Sequence, residues 1–190
     1  MLAQIAQLLV DVVGSFFVFM LLARLHFQWL RAPFRNPLGE FVVAVTNWAV
    51  RPARRLVPPV AGFDLATLAC SWLLQGVVLF LLYSLRGYEF GGAPAIGAGM
   101  LAAVALVDLL RYSLYILIAA VFVQAILSWV NPYSPAAPLL DALTRPFLRP
   151  FRRLLPPVAN VDLSSLVLLL ALYVALIPVA HLRVLVAGIL

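Results

Sequence analysis

The chain has 190 residues, of which 65% are hydrophobic and only 11% charged, and its mean hydropathy is +1.09. A soluble domain carries roughly 25% charged residues, and one of this length could not hide so much apolar surface in a single core, so a soluble enzyme and a disordered tail are both excluded. The net charge of +6 comes from 13 arginines, with no lysine, set against 7 acids.

On a basic membrane protein such a balance points to anionic lipid head groups more than to nucleic acid. High-GC codon usage also yields an arginine-for-lysine bias, and both readings stand. The single cysteine, Cys70, lies inside an apolar run and reads as a small buried hydrophobe. The N-terminus lacks the basic n-region and small-residue cleavage site of a secretory signal, so its apolar run is expected to stay as an anchor.

In chain order, a first apolar helix is expected from about Leu8 to Leu30, and a basic, proline-punctuated connector follows. A second apolar helix is expected from about Asp64 to Leu85. Residues 87–99, rich in Gly and Pro, read as a linker. Residues 95–107 are apolar but too short to span alone; they extend the third long helix or form a short re-entrant piece. That third helix is expected to run from about Leu106 to Val130, followed by a second connector and a last helix from about Asp162 to Ala187.

This order reflects an internal duplication. Residues 51–68, RPARRLVPPVAGFDLATL, and 149–166, RPFRRLLPPVANVDLSSL, are identical at 12 of 18 positions at an offset of 98. Thr46 and Thr144 share that offset. Asn36-Pro37 answers Asn131-Pro132, and Gln28 answers Gln124, each with a small gap. The fold class read from this pattern is all-α membrane: four transmembrane helices in two tandem helix–basic amphipathic connector–helix repeats of parallel orientation. The first repeat covers residues 1–86 and the second 100–190, joined by the linker 87–99. Arginine counting puts both connectors in the cytoplasm. Arg24, Arg31, Arg35, Arg51, Arg54 and Arg55 cluster at the first, and Arg145, Arg149, Arg152 and Arg153 at the second.

The motif residues carry several readings. Asp64 and Asp162 precede apolar runs just after a Pro-Pro pair, as helix N-caps do; a proton- or cation-binding carboxylate is the alternative. Arg54-Arg55 and Arg152-Arg153 sit between prolines that disfavour regular helix, so a stiffened turn is expected. Guanidinium forks there suit phosphate, whereas a merely topogenic charge would not need the fixed spacing. A local ion pair from Arg55 to Asp64, mirrored by Arg153 to Asp162, fits the same turn. Asn36-Pro37 and Asn131-Pro132 open the connectors as turns. In the first connector Leu38, Phe41, Val42, Val45 and Ala49 share one helical face. In the second, Leu139, Leu140 and Leu143 are followed by Asp141 and Arg145 at i, i+4 spacing. Such helices lie in the interface plane or dip in as re-entrant pieces, with Trp29 and Trp48 at head-group depth.

Arg24, Gln28 and Arg31 share one face and are expected to snorkel at the cytoplasmic end. Asp108 and Arg111 suit a helix-surface ion pair near the opposite face. There is no lysine for Schiff-base chemistry, no Gly-rich phosphate loop and no Cys/His metal spacing. His26 is expected near the cytoplasmic end of the first helix and His181 roughly 28 Å along the last helix from Asp162, so the two could not clamp one haem. No cofactor, metal or catalysis is expected.

The twice-recurring string Arg-Pro-x-Arg-Arg-x-x-Pro-Pro-x-x-x-x-Asp-Leu, after an upstream Asn-Pro, resembles the YggT family of small bacterial membrane proteins, which has plastid relatives. The stretch Gln28-Trp29-Leu30-Arg31-Ala32-Pro33-Phe34-Arg35-Asn36-Pro37 adds to the resemblance. The second copy departs from the pattern, with Asn160 at the place of Gly62. The resemblance implies a bacterial inner-membrane location and links to osmotic or potassium homeostasis. Through the plastid relatives it implies links to nucleoid or division-site organisation and cytochrome b6 assembly; it implies no reaction. The expected function is a non-enzymatic protein that organises or senses the cytoplasmic leaflet, as a homo-oligomer gripping anionic lipids through Arg31, Arg51, Arg54, Arg55, Arg149, Arg152 and Arg153. An oligomeric ion channel or transporter component is the alternative.

Overall fold

The computed structural model describes residues 1–58, 63–87, 94–131, 133–154 and 163–188. Among them run six α-helices: α1 (Leu2–Trp29), α2 (Pro37–Leu56), α3 (Leu65–Leu85), α4 (Pro94–Val130), α5 (Ala137–Leu154) and α6 (Leu163–Gly188). Four are long and apolar enough to cross a membrane, namely α1, α3, the Gly97–Val130 part of α4, and α6. The 21 residues of α3 make a rod of about 31 Å, close to the ~30 Å of a hydrocarbon core. These helices are apolar all round: α3 buries Val78 and Leu79 while Leu73, Val77 and Phe80 stay exposed. An apolar face left outside the core belongs against lipid. Helix α4 runs unbroken from Pro94, so residues 95–107 extend the third long helix.

The order long–short–long occurs twice. Helix α1 packs on α3 and α4 on α6, α3 meets α4 across the middle, and each short helix packs against the two long helices beside it in sequence. The short helices follow a different sequence logic. In α2 the buried positions are Gly39, Val42, Thr46 and Val50, spaced three and four apart, and they seat the helix across α1 and α3. The apolar face read from the sequence splits: Val42 turns inward, whereas Leu38 and Phe41 stay exposed, in line with Trp48. In α5, Leu139, Leu140, Leu143 and Leu148 are buried, leaving the arginines outside.

The arginine pairs do not lie in a turn. Helix α2 continues through Pro52 to Leu56, with Arg54 and Arg55 in its last turn. Helix α5 likewise continues through Pro146 and Pro150, with Arg152 and Arg153 in its last turn. All three prolines are on exposed positions. At such positions the carbonyl left without a donor four residues back is free to meet water, which lets a helix run on through a proline.

Helices α1 and α3 approach closely at Gly14, where an added Cβ would lie 2.4 Å from Cγ2 of Val78. We expect Gly14→Leu to destabilise the protein by about 1–3 kcal/mol, the usual cost of overpacking, and Gly14→Ala by less. The double variant Gly14→Ala/Val78→Ala should recover part of the loss in thermal unfolding in detergent. Equal melting of Gly14→Leu and the parent chain would show that the two helices are not in contact there.

Candidate functional site

Three polar features are built into this frame. The first ties the connector end of the first half. Asp64 caps α3: its Oδ1 accepts from Thr67 N at 3.2 Å and its Oδ2 from Thr67 Oγ1 at 2.6 Å. The same Oδ2 accepts from Arg54 Nε at 3.1 Å and Nη2 at 2.5 Å. Gln28 of α1, its amide oriented to satisfy both neighbours, donates to Asp64 Oδ2 at 2.8 Å and accepts from Arg54 at 2.7 Å. Asp64 is 4% exposed. Burial pushes its pKa up, but the hydrogen bonds from Arg54 and Thr67 and the Arg54 charge outweigh that and hold it below the ordinary carboxylate value.

This knot corrects two expectations. The partner of Asp64 is Arg54, not Arg55, because consecutive residues on a helix point about 100° apart and Arg55 faces outward, exposed. Arg24 does not snorkel. It is 5% exposed and its Nη1 donates to Thr46 Oγ1 at 2.9 Å and Asn47 Oδ1 at 3.0 Å. Its tip is held by α2, which crosses α1 at that level. Asn36 caps α2, accepting from Gly39 N at 2.9 Å and donating to Pro33 O at 2.6 Å, with Pro37 as first helical residue. Asn131 follows the end of α4 and its carbonyl accepts from Ser134 N at 3.2 Å, a turn without the capping contact of Asn36. Pro132, Asp162 and the second Pro-Pro pair lie outside the described residues, and with them the mirrored Arg153–Asp162 pair.

The second feature is a groove of about 440 Å³ lined by Trp29, Leu30 and Arg31 from α1 and its exit and by Ala142, Arg145, Pro146 and Arg149 from α5. The α5 residues recur at i, i+3, i+4 and i+7, one face of the helix. Arg145 also donates to Asp141. Arg31 has φ 52°, the left-handed region that L-residues other than glycine, Asn and Asp avoid. It stands there because α1 ends in a Schellman turn: Arg31 N donates to Gln28 O at 3.1 Å and Ala32 N to Phe27 O at 2.8 Å. Glycine is the usual residue at that place. Of the other arginines singled out from the sequence, Arg51, Arg152 and Arg153 are exposed and none lines this groove. From the sequence Arg145 reads as a topogenic charge and as the i+4 partner of Asp141, although its spacing of three from Ala142 and four from Arg149 already puts it on their helical face.

The third feature lies among the long helices. Asp108 is 1% exposed and not at a helix surface. It accepts from Arg183 Nε at 2.7 Å and Nη2 at 3.4 Å, and from Gln75 Nε2 at 2.9 Å, with Arg111 at 3.4 Å. The spacing of Asp108 and Arg111 was legible; the partners from α3 and α6 were not, since nothing in one sequence pairs residues 33 and 75 positions apart.

A CCB3/YggT family model matches the chain over residues 3–85 and again over 103–183. The chain is 36% identical over 166 residues to an uncharacterized protein of Pseudomonas aeruginosa, covering 86% of this chain and 82% of that one. It is 34% identical over 175 residues to the uncharacterized protein YggT of Escherichia coli K12, covering 91% and 88%. An uncharacterized protein of Vibrio alginolyticus is 32% identical over 171 residues, with 88% and 89% covered. No solved structure gives a match.

The geometry at Asp64 orders a variant series. Asp64→Asn keeps the cap but loses the charge facing Arg54, and a loss of about 1 kcal/mol is expected for this half-exposed pair. Asp64→Ala should cost about 0.5–2 kcal/mol more, for the cap. Arg54→Gln should destabilise, whereas Arg55→Gln should stay within about 0.5 kcal/mol of the parent. Thermal unfolding in micelles ranks them. Equal effects at Arg54 and Arg55 would contradict the pairing.

Proposed function

The chain belongs to the CCB3/YggT family, and we propose that this member is a non-enzymatic inner-membrane protein that grips and organises the cytoplasmic leaflet through the basic face formed by its two connectors. In this reading the two family-model matches are tandem repeats of parallel orientation, related by a quasi-twofold axis along the membrane normal. The arginine distribution supports a cytoplasmic-interface location for α2 and α5. Exposed Trp29, Trp48, Trp129 and Tyr133 fit a belt at head-group depth. Leu38, Phe41 and Trp48 give α2 an outward apolar strip of the kind that interfacial helices bury in lipid.

The observation that carries the proposal is Arg31. A backbone position that favours glycine is occupied by arginine, and its side chain joins Arg145 and Arg149 over an apolar groove floored by Trp29, Leu30 and Pro146. A lipid phosphate with its acyl chain has that chemistry: guanidinium forks take the phosphate, and the groove takes the chain. Osmotic tolerance and division-site organisation would be consequences of that grip, and self-association would multiply it. A second reading, an oligomeric ion channel or transporter component, draws on the charged cluster inside the bundle at Asp108, because intramembrane ionisable groups mark solute pathways more often than they stabilise.

Arg31→Gly separates fold from function. It removes the left-handed strain and should leave the protein equally or slightly more stable, by up to about 1 kcal/mol, while phosphatidylglycerol and cardiolipin co-purifying with the protein fall. Adding Arg149→Gln should deepen the loss, and lysine at both positions should restore it only in part. Native mass spectrometry reads lipid retention and subunit number together. Unchanged lipid retention in the Arg31→Gly/Arg149→Gln variant would sink the proposal. Orientation has its own measurement: in a Cys70→Ala background, cysteine at Glu40 or Tyr133 should resist an impermeant external thiol reagent in intact cells. Labelling of either would invert the topology.

A further inference from the structure

A cavity of about 360 Å³ opens among the four long helices. It is lined by Gln4, Gln7 and Asp11 of α1, Gln75 and Tyr83 of α3, Arg86 just after α3, Asp108, Arg111 and Tyr112 of α4, and Arg183 of α6, besides aliphatic residues. Gln4, Gln7, Arg86 and Arg183 belong to the ends of their elements remote from α2 and α5, whereas Gln75 is the central residue of α3. The cavity therefore reaches from the face opposite the connectors into the middle of the bundle. Charges at that depth cost several kcal/mol unless paired or wetted, and an apolar filling would stabilise the bundle as well or better. Stability alone does not account for them.

The charges also fail to cancel. Three guanidinium groups line the cavity, Arg111 and Arg183 half-buried and Arg86 exposed at its mouth, with two carboxylates, the buried Asp108 and the exposed Asp11. Asp108 is neutralised by Arg183 and bonded by Gln75 as well. Arg111, a longer 3.4 Å from Asp108, and Arg86 then exceed Asp11 by one positive charge. Two buried atoms on the lining have no hydrogen-bond partner: the donor Arg111 Nε and the acceptor Gln75 Oε1. Gln75 itself is only 2% exposed. Hydroxyls stand nearby, with Tyr112 Oη 3.0 Å from Ser15 Oγ. An excess cation, an unmet donor on Arg111 and an unmet acceptor on Gln75, all on one cavity's lining, call for one ligand that is negative, accepts hydrogen bonds and also donates one.

We propose that this cavity binds a small oxyanion bearing a hydroxyl, with hydrogen phosphate and small hydroxy-carboxylates as the ligand class, entering from the face opposite the connectors. Arg111 and Arg86 take the charge, and Gln75 Oε1 takes the hydroxyl proton. The site is separate from the basic groove and holds whether or not that groove binds lipid.

The test uses the full chain in maltoside micelles, with inorganic phosphate as the probe and isothermal titration as the measurement. One saturable phosphate site with these properties is expected in the cavity, at least about tenfold weaker in Arg111→Gln and in Arg86→Gln and unchanged in Arg35→Gln, an exposed arginine outside both the cavity and the groove. Sulfate, which lacks the hydroxyl at neutral pH, should bind the parent more weakly than phosphate, and Gln75→Met should erase that preference. Should an arginine variant fail to fold, protection decides: Leu82→Cys in a Cys70→Ala background lines the cavity, and phosphate should slow its reaction with a charged thiosulfonate severalfold. No saturable binding in the parent chain, equal binding in both arginine variants, or reaction at Leu82→Cys indifferent to phosphate would each overturn the site.

Discussion

Lipid offers no hydrogen bonds, so each polar group carried into the bundle must find its partner inside the chain. Asp64 shows how strongly that constraint organises the first half. One carboxylate caps α3, pairs with the last turn of α2 and meets Gln28 from α1. With that knot in place, α2 lies across α1 and α3 at a set height, Arg24 is delivered to Thr46 and Asn47, and the arginines on the other faces of α2 are left pointing outward. The charge distribution that reads as a basic surface is thus the complement of an internal pairing problem.

What the sequence disclosed was what repeats or what is local. The four long helices, the amphipathic connectors and the capping carboxylate at Asp64 are all carried by contiguous residues, and their signals survive without tertiary information, whereas Asn36-Pro37, read as a turn, starts α2. The choice of Arg54 over Arg55 needed the helix phase, and proline spacing hid it by suggesting a turn. The burial of Asp108 was illegible for a different reason. Its partners Gln75 and Arg183 come from other helices, and a spacing of three to Arg111 looks the same on a surface as in a core. The groove was half visible: Arg31 and Arg149 stood out as motif residues, but their convergence depends on how α5 docks beside the exit of α1.

The two halves keep one device and differ in its charge. Thr46 and Thr144 are both buried, and both bond back to the carbonyl four residues earlier, at 2.6 Å to Val42 and 2.9 Å to Leu140. Each also meets a polar side chain from the long helix before it, but that side chain is the Arg24 guanidinium in one half and the neutral Gln124 amide in the other. A neutral pair needs no counter-charge, so the contact at Thr144 makes no electrostatic demand of the kind that Arg24 makes at Thr46.

Helix α4 has a mechanical consequence. Its 37 residues make a rod of about 55 Å, longer than the ~30 Å hydrocarbon core and longer than the ~40–45 Å that includes the head groups. It cannot stand upright with both ends covered, so it tilts, or carries its ends into the aqueous phase, by an amount that the bilayer sets. Because α4 touches α1, α3, α5 and α6, any change in its tilt is felt in both halves at once. A thinner or stretched membrane would therefore act on this protein as a lever arm, with the bilayer's own thickness as the applied displacement.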